Sequence, residues 1–89
     1  MNSEENLIVQ VQVLYFAQAR ERAGLASSAL ELPTGSRVRD ALEALERTYP
    51  ALAPLRAHLA VAVDGALARP DDVVPDGAEL ALLPPVSGG

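Results

Sequence analysis

The chain has 89 residues, 49% of them hydrophobic, with twelve acidic residues, seven arginines, no lysine and a formal net charge of −5. That length supports one domain, near the lower limit for a fold held by a hydrophobic core alone, and an acidic chain without a basic stripe argues against phosphate-led nucleic-acid binding. Cysteine is absent, which excludes disulfides, thiolate metal ligands and a sulfur nucleophile supplied by a side chain.

Residues 1–6, "MNSEEN", read as a disordered polar tag without the basic and apolar parts of a secretion signal. No apolar run approaches the roughly 20 residues that span a bilayer, so a cytoplasmic, membrane-free protein is expected. "LIVQVQVLYF", Leu7 to Phe16, is the strongest strand pattern. Val9, Val11, Val13 and Tyr15 share one face, predicted to be core; Gln10 and Gln12 put much of the other face near water. Phe16 lies on that second face as a candidate exposed aromatic. "AQARERAG" reads as a loop or a single helical turn ending on Gly24. "SSALEL" predicts a second strand, with Ala29 or Leu30 and Leu32 inward. Ser36 is a candidate helix cap. Val38, Ala41, Leu42, Leu45 and Tyr49 follow at helical spacing, and Pro50 closes the helix at Tyr49.

"ALAPLRAH" reads as irregular. "LAVAV" predicts a third strand, Asp64-Gly65 a tight turn and "ALA" a short return strand. Asp76-Gly77 marks another turn before the last strand, "AELALL". The first and last strands are the most apolar, as buried central strands are. Side by side they make a parallel pair reached through the helix. The expected fold class is therefore α+β, a ubiquitin-like β-grasp with a mixed sheet of four to five strands on one main helix. Its domain spans 7–83, and 84–89 form an extended tail.

The tail, "PPVSGG", carries the sharpest pattern. Pro84 and Pro85 fix two φ angles and remove two backbone donors, so a sheet cannot continue through them. At about 3.1 Å per residue the six residues reach on the order of 15–20 Å. Gly88 and Gly89 lack Cβ atoms and suit a narrow channel. On the glycines alone, a frayed terminus is the favoured reading; a stiff stem with a bare tip on a β-grasp pattern favours presentation of a terminal carboxylate to another protein.

"LYFAQARERAG" and "LPPVSGG" resemble the small subunit of molybdopterin synthase, a family of ubiquitin-like sulfur carriers. The resemblance implies that an E1-like adenylyltransferase, using ATP and Mg²⁺, adenylylates Gly89. A sulfur donor protein then displaces AMP to leave a thiocarboxylate, and the tail, Pro84, Pro85, Val86, Ser87 and Gly88, enters the large subunit. There sulfur passes to cyclic pyranopterin monophosphate, in a heterotetramer of two small and two large subunits. The resemblance further implies that Phe16, Leu67 and Leu83 form the apolar patch that meets the large subunit, although the family often has phenylalanine where Leu83 stands. Arg20 matches an arginine that contacts partner or tail; a solvated surface charge is the other reading. No tightly bound cofactor or metal is expected, since His58 is a lone histidine and the loop aspartates lack ligand spacing. Three alternatives remain open: a carrier for thiamine, tRNA thiolation or cysteine synthesis; a ubiquitin-like modifier joined to lysines through Gly89; and a non-covalent binding module with incidental glycines.

Overall fold

A computed structural model of the protein describes residues 7–85. The expected N-terminal tag and the last four residues, Val86 to Gly89, lie outside the described residues. In chain order the elements are β1 (Ile8–Tyr15), α1 (Ala17–Ala23), β2 (Ser27–Pro33), α2 (Val38–Thr48), a 3₁₀ helix (Pro50–His58), β3 (Ala60–Val63), β4 (Ala66–Ala68) and β5 (Glu79–Leu83). One five-stranded sheet has the order β2-β1-β5-β3-β4. Only β1 and β5 run parallel, with Gln12 opposite Glu79 and Tyr15 opposite Leu82; β2, β3 and β4 join antiparallel. This is the expected β-grasp, with its two most apolar strands at or beside the centre.

The alternation in β1 places its side chains as expected. Val9, Val11, Val13 and Tyr15 are buried with Leu80 and Leu82 of β5, Val61 of β3 and the α2 residues Val38, Ala41, Leu42 and Leu45. On β2 it is Leu30 and Leu32 that face inward, while Ala29 is exposed. The Tyr15 ring meets Tyr49 edge to face at 5.9 Å, a favoured aromatic geometry.

Both Asp-Gly pairs make turns, and both secure the start of β5. Asp64 and Gly65 have φ of 51° and 85°, the left-handed pair that a two-residue type I′ hairpin requires. The Glu79 N–H donates to Asp64 Oδ1 at 2.9 Å. From the other side, the Gln10 N–H donates to Asp76 Oδ1 at 2.8 Å, and the Gly77 N–H to the Gln10 carbonyl at 2.8 Å. These contacts set the register of the parallel pair.

Three local expectations are corrected. "AQARERA" is a seven-residue helix rather than a loop or single turn. Ala19 is wholly buried, and Gly24 ends the helix in a left-handed conformation, its N–H donating to the Arg20 carbonyl, a cap that glycine adopts without a Cβ penalty. "PALAPLRAH" is a 3₁₀ helix rather than irregular chain, because Leu52 and Leu55 on it are buried. Ser36 does not cap α2: its hydroxyl donates back to the Pro33 carbonyl at 2.7 Å. The residue at the cap position is Arg37, whose N–H is held by the Asp40 carboxylate at 2.8 Å. The next two N–H groups, of Val38 and Arg39, donate to the carbonyls of Asp72 and Pro70 at 2.9 and 3.0 Å. The loop before β5 thus satisfies donors that a helix start leaves unpaired.

Candidate functional site

The helices cover one face of the sheet. The other face shows two adjacent apolar rows, read directly from strand register. In the first row Leu14 stands beside Ala81, Ala81 beside Ala62, and Ala62 beside Leu67. In the second, Leu83 stands beside Ala60. Phe16 follows Tyr15, whose partner is Leu82, and its N–H donates to the Leu82 carbonyl at 3.3 Å, so it completes that row beside Leu83. Leu67 is 78% exposed and Phe16 44%, while Leu83 is half-buried. Large side chains therefore surround a shallow floor of alanines.

The face changes character along the strands. One register step from the first row, Gln12 lies between Ala29 and Glu79; further on, Gln10 lies beside Glu31, and its amide donates to the Glu31 carboxylate at 3.4 Å. The apolar half occupies the end where β1 and β5 both finish.

The structure brings Phe16, Leu67 and Leu83 onto this one surface. Phe16 and Leu83 are neighbours, and Leu67 joins them through Ala60 and Ala62. The sequence reading did not include Leu14, Ala60, Ala62 and Ala81. Their shared parity with Phe16, Leu67 and Leu83 is the signal, and it becomes legible only once the strand order is known. Arg20 is elsewhere: its N–H donates to the Phe16 carbonyl at 3.4 Å, but its side chain lines a separate surface depression with Glu21 and Leu25. Among the described residues it forms no ion pair.

The stem divides at its first residue. Pro84 is buried and Pro85 exposed. Neither has an N–H to donate, so pairing with β3 stops at Leu83. Val86, Ser87, Gly88 and Gly89 lie outside the described residues. Since β5 lies between β1 and β3, the tail departs from the middle of the sheet at the apolar end of the outer face. Among the described residues no three His, Cys, Asp or Glu side chains gather as metal ligands, and no helix is long and apolar enough to cross a membrane.

Comparison with known proteins adds a family. The ThiS family model matches residues 13–89. The molybdopterin synthase sulfur carrier subunit of Arabidopsis thaliana is 33% identical over 89 residues, covering the whole chain and 93% of that relative. Two solved structures superpose closely. A putative molybdopterin converting factor subunit 1 from Pyrococcus furiosus has 32% identity and a TM-score of 0.80, covering 88% of this chain and 99% of that one. Small archaeal modifier protein 1 from Haloferax volcanii has 31% identity and a TM-score of 0.80, with the same coverage.

Proposed function

The chain belongs to the ThiS family, and from that premise we propose that it is the sulfur-carrying small subunit of a molybdopterin synthase, with Gly89 as its reacting residue. A carboxylate is a poor acyl donor. An E1-like enzyme therefore joins the Gly89 carboxylate to ATP, releasing pyrophosphate and leaving an acyl-adenylate. A sulfur donor protein displaces AMP from the carbonyl carbon, and the product is a thiocarboxylate. That sulfur then passes to cyclic pyranopterin monophosphate in the active site of a large subunit, and the carboxylate is restored. Two such donations complete a dithiolene.

The observation that carries this reading is the join between tail and face. The family match runs through Gly89, and the strand bearing it leaves the sheet beside Phe16 and Leu83. A partner that covers the apolar rows stands where the tail arrives. In this reading Phe16, Leu67 and Leu83 are the docking anchors, Pro84 is the root held by the domain, and the stem runs from Pro85. Pro85, Val86, Ser87 and Gly88 supply reach, and the missing Cβ of the glycines admits the tip to a narrow channel. Arg20 lies a helical turn from Phe16, but its side chain lines a separate depression and is not one of these anchors.

The test is intact-mass analysis of protein taken from cells with an active pathway. The expected species is heavier by the replacement of one oxygen with one sulfur, and it disappears when Gly89 is deleted. The likeness to a small archaeal modifier protein favours one second reading, in which the same activated Gly89 is passed to lysine amines of other proteins. Ladders of larger conjugates, without the sulfur-bearing species, select that reading.

A further inference from the structure

Behind Leu67, around the free edge of β4, the core is not sealed. A groove of about 250 Å³ opens there between sheet and helices, lined by Val38, Leu42, Leu59, Val61, Ala68 and Pro70. Its floor belongs to the hydrophobic core, since Val38, Leu42 and Val61 are all buried. The cause is the brevity of β4, only three residues long and last in the sheet, which leaves the start of α2 without a strand beneath it. Leu67 forms one lip. Arg39 and Arg56 form the other, and neither swings freely. Arg39 pairs with Asp71, while Arg56 pairs with Glu46 at 3.2 Å and Glu43 at 3.8 Å. The slot is therefore apolar, and the two guanidinium groups that line it are both paired with carboxylates.

We propose that this groove is a second anchor site for the sulfur-accepting large subunit, which lays an extended segment along β4 and seats one large apolar side chain in the slot. The inference rests on the carrier reading above and extends its footprint. Three observations converge on it. First, Leu67 and Ala60 belong both to the outer apolar rows and to the groove, so the two surfaces are continuous. Second, β4 and β5 are both antiparallel to β3 and so end together. The groove then opens about two strand spacings, roughly 10 Å, from the root of the tail. Third, a stable subunit contact buries about 800 Å² on each side, and the outer rows offer seven side chains, three of them alanines. The adjoining groove is the apolar surface that enlarges that footprint.

The test uses the full chain and the purified large subunit. Ala68→Leu fills the slot from within. It is expected to weaken binding about ten-fold or more, the scale of one lost apolar anchor. Its adenylylation by the activating enzyme should stay at the wild-type rate. Leu83→Asp is the control for the outer face. If Leu83→Asp abolishes binding while Ala68→Leu binds normally, the groove proposal is overturned and the carrier reading stands. If Leu83→Asp binds normally, the outer-face reading itself falls. An equal loss of adenylylation in Ala68→Leu overturns the assignment to the large subunit. Should Ala68→Leu fail to fold, methyl NMR of the wild-type chain decides. Shifts at Leu42, Leu59 and Val61 on adding the large subunit support the site, and unmoved signals there overturn it.

Discussion

Tyr15 shows how much one residue position can carry. It is the largest wholly buried side chain on β1, and its hydroxyl shares a hydrogen bond with Ser28 Oγ at 2.9 Å. Burial pushes its phenol above the usual range and outweighs the opposing pull of the Ser28 contact. A raised folded-state value means the unfolded chain releases the proton first. The associated stability is therefore complete below about pH 10 and is lost as pH rises beyond it. Tyr15→Phe keeps the edge contact with Tyr49 but loses the hydrogen bond, so it should cost about 1 kcal/mol at neutral pH. Urea melts at pH 7 and pH 10.5 should show the gap between the two proteins narrowing at the higher pH. The burial of Tyr15 was legible from alternation alone. Its partner was not, because Ser28 lies on another strand and only pairing brings the two together.

At the scale of elements, backbone groups are satisfied by chain that is distant in sequence. The start of α2 leans on carbonyls of Asp72 and Pro70 as well as on Asp40, its own N3 side chain. Asp40→Ala should cost about 0.5–2 kcal/mol, the range of a lost cap, and leave the rest of the fold unchanged by circular dichroism. Asp64 holds the first N–H of β5, and Asp76 ties the turn before β5 to Gln10 of β1. The double variant Asp64→Ala, Asp76→Ala should raise amide hydrogen exchange at Glu79 and Gln10 well before it affects Val11 or Val13. Here the sequence recognised both turns but not their joint task, since an Asp-Gly pair announces a turn without saying which strand its carboxylate will meet. The seven-residue α1 escaped for a related reason: seven residues are too few for a convincing period, and Ala19 becomes a core residue only when packed.

For the molecule as a whole, the sheet has one face covered by helices and one left apolar at the end where the tail departs. That asymmetry makes sense of Phe16 and Leu67, two of the exposed large hydrophobic side chains among the described residues. Phe16→Ala and Leu67→Asp should each weaken binding to the large subunit by ten-fold or more, the effect of removing an interface anchor. Their thermal melting temperatures should stay within a few degrees of wild type, because neither side chain belongs to the core. Deleting Gly89 should do the reverse, ending sulfur transfer while docking survives. Titration calorimetry and single-turnover transfer assays read the two effects separately.

By itself the amino-acid sequence determined which residues would be buried, where the chain would turn, and that strand pairing would stop at Pro84 and Pro85, which lack backbone donors. Each of these is local: periodicity, φ preference and a missing N–H belong to a residue and its near neighbours. Only the tertiary structure decided that four small or half-buried residues join Phe16, Leu67 and Leu83 in two rows, and that Pro84 is anchored while Pro85 is free. It also decided that a three-residue β4 leaves a groove open beside them. Those outcomes depend on strand order and on where each strand stops, which are properties of how distant segments meet, and no short stretch of sequence contains them.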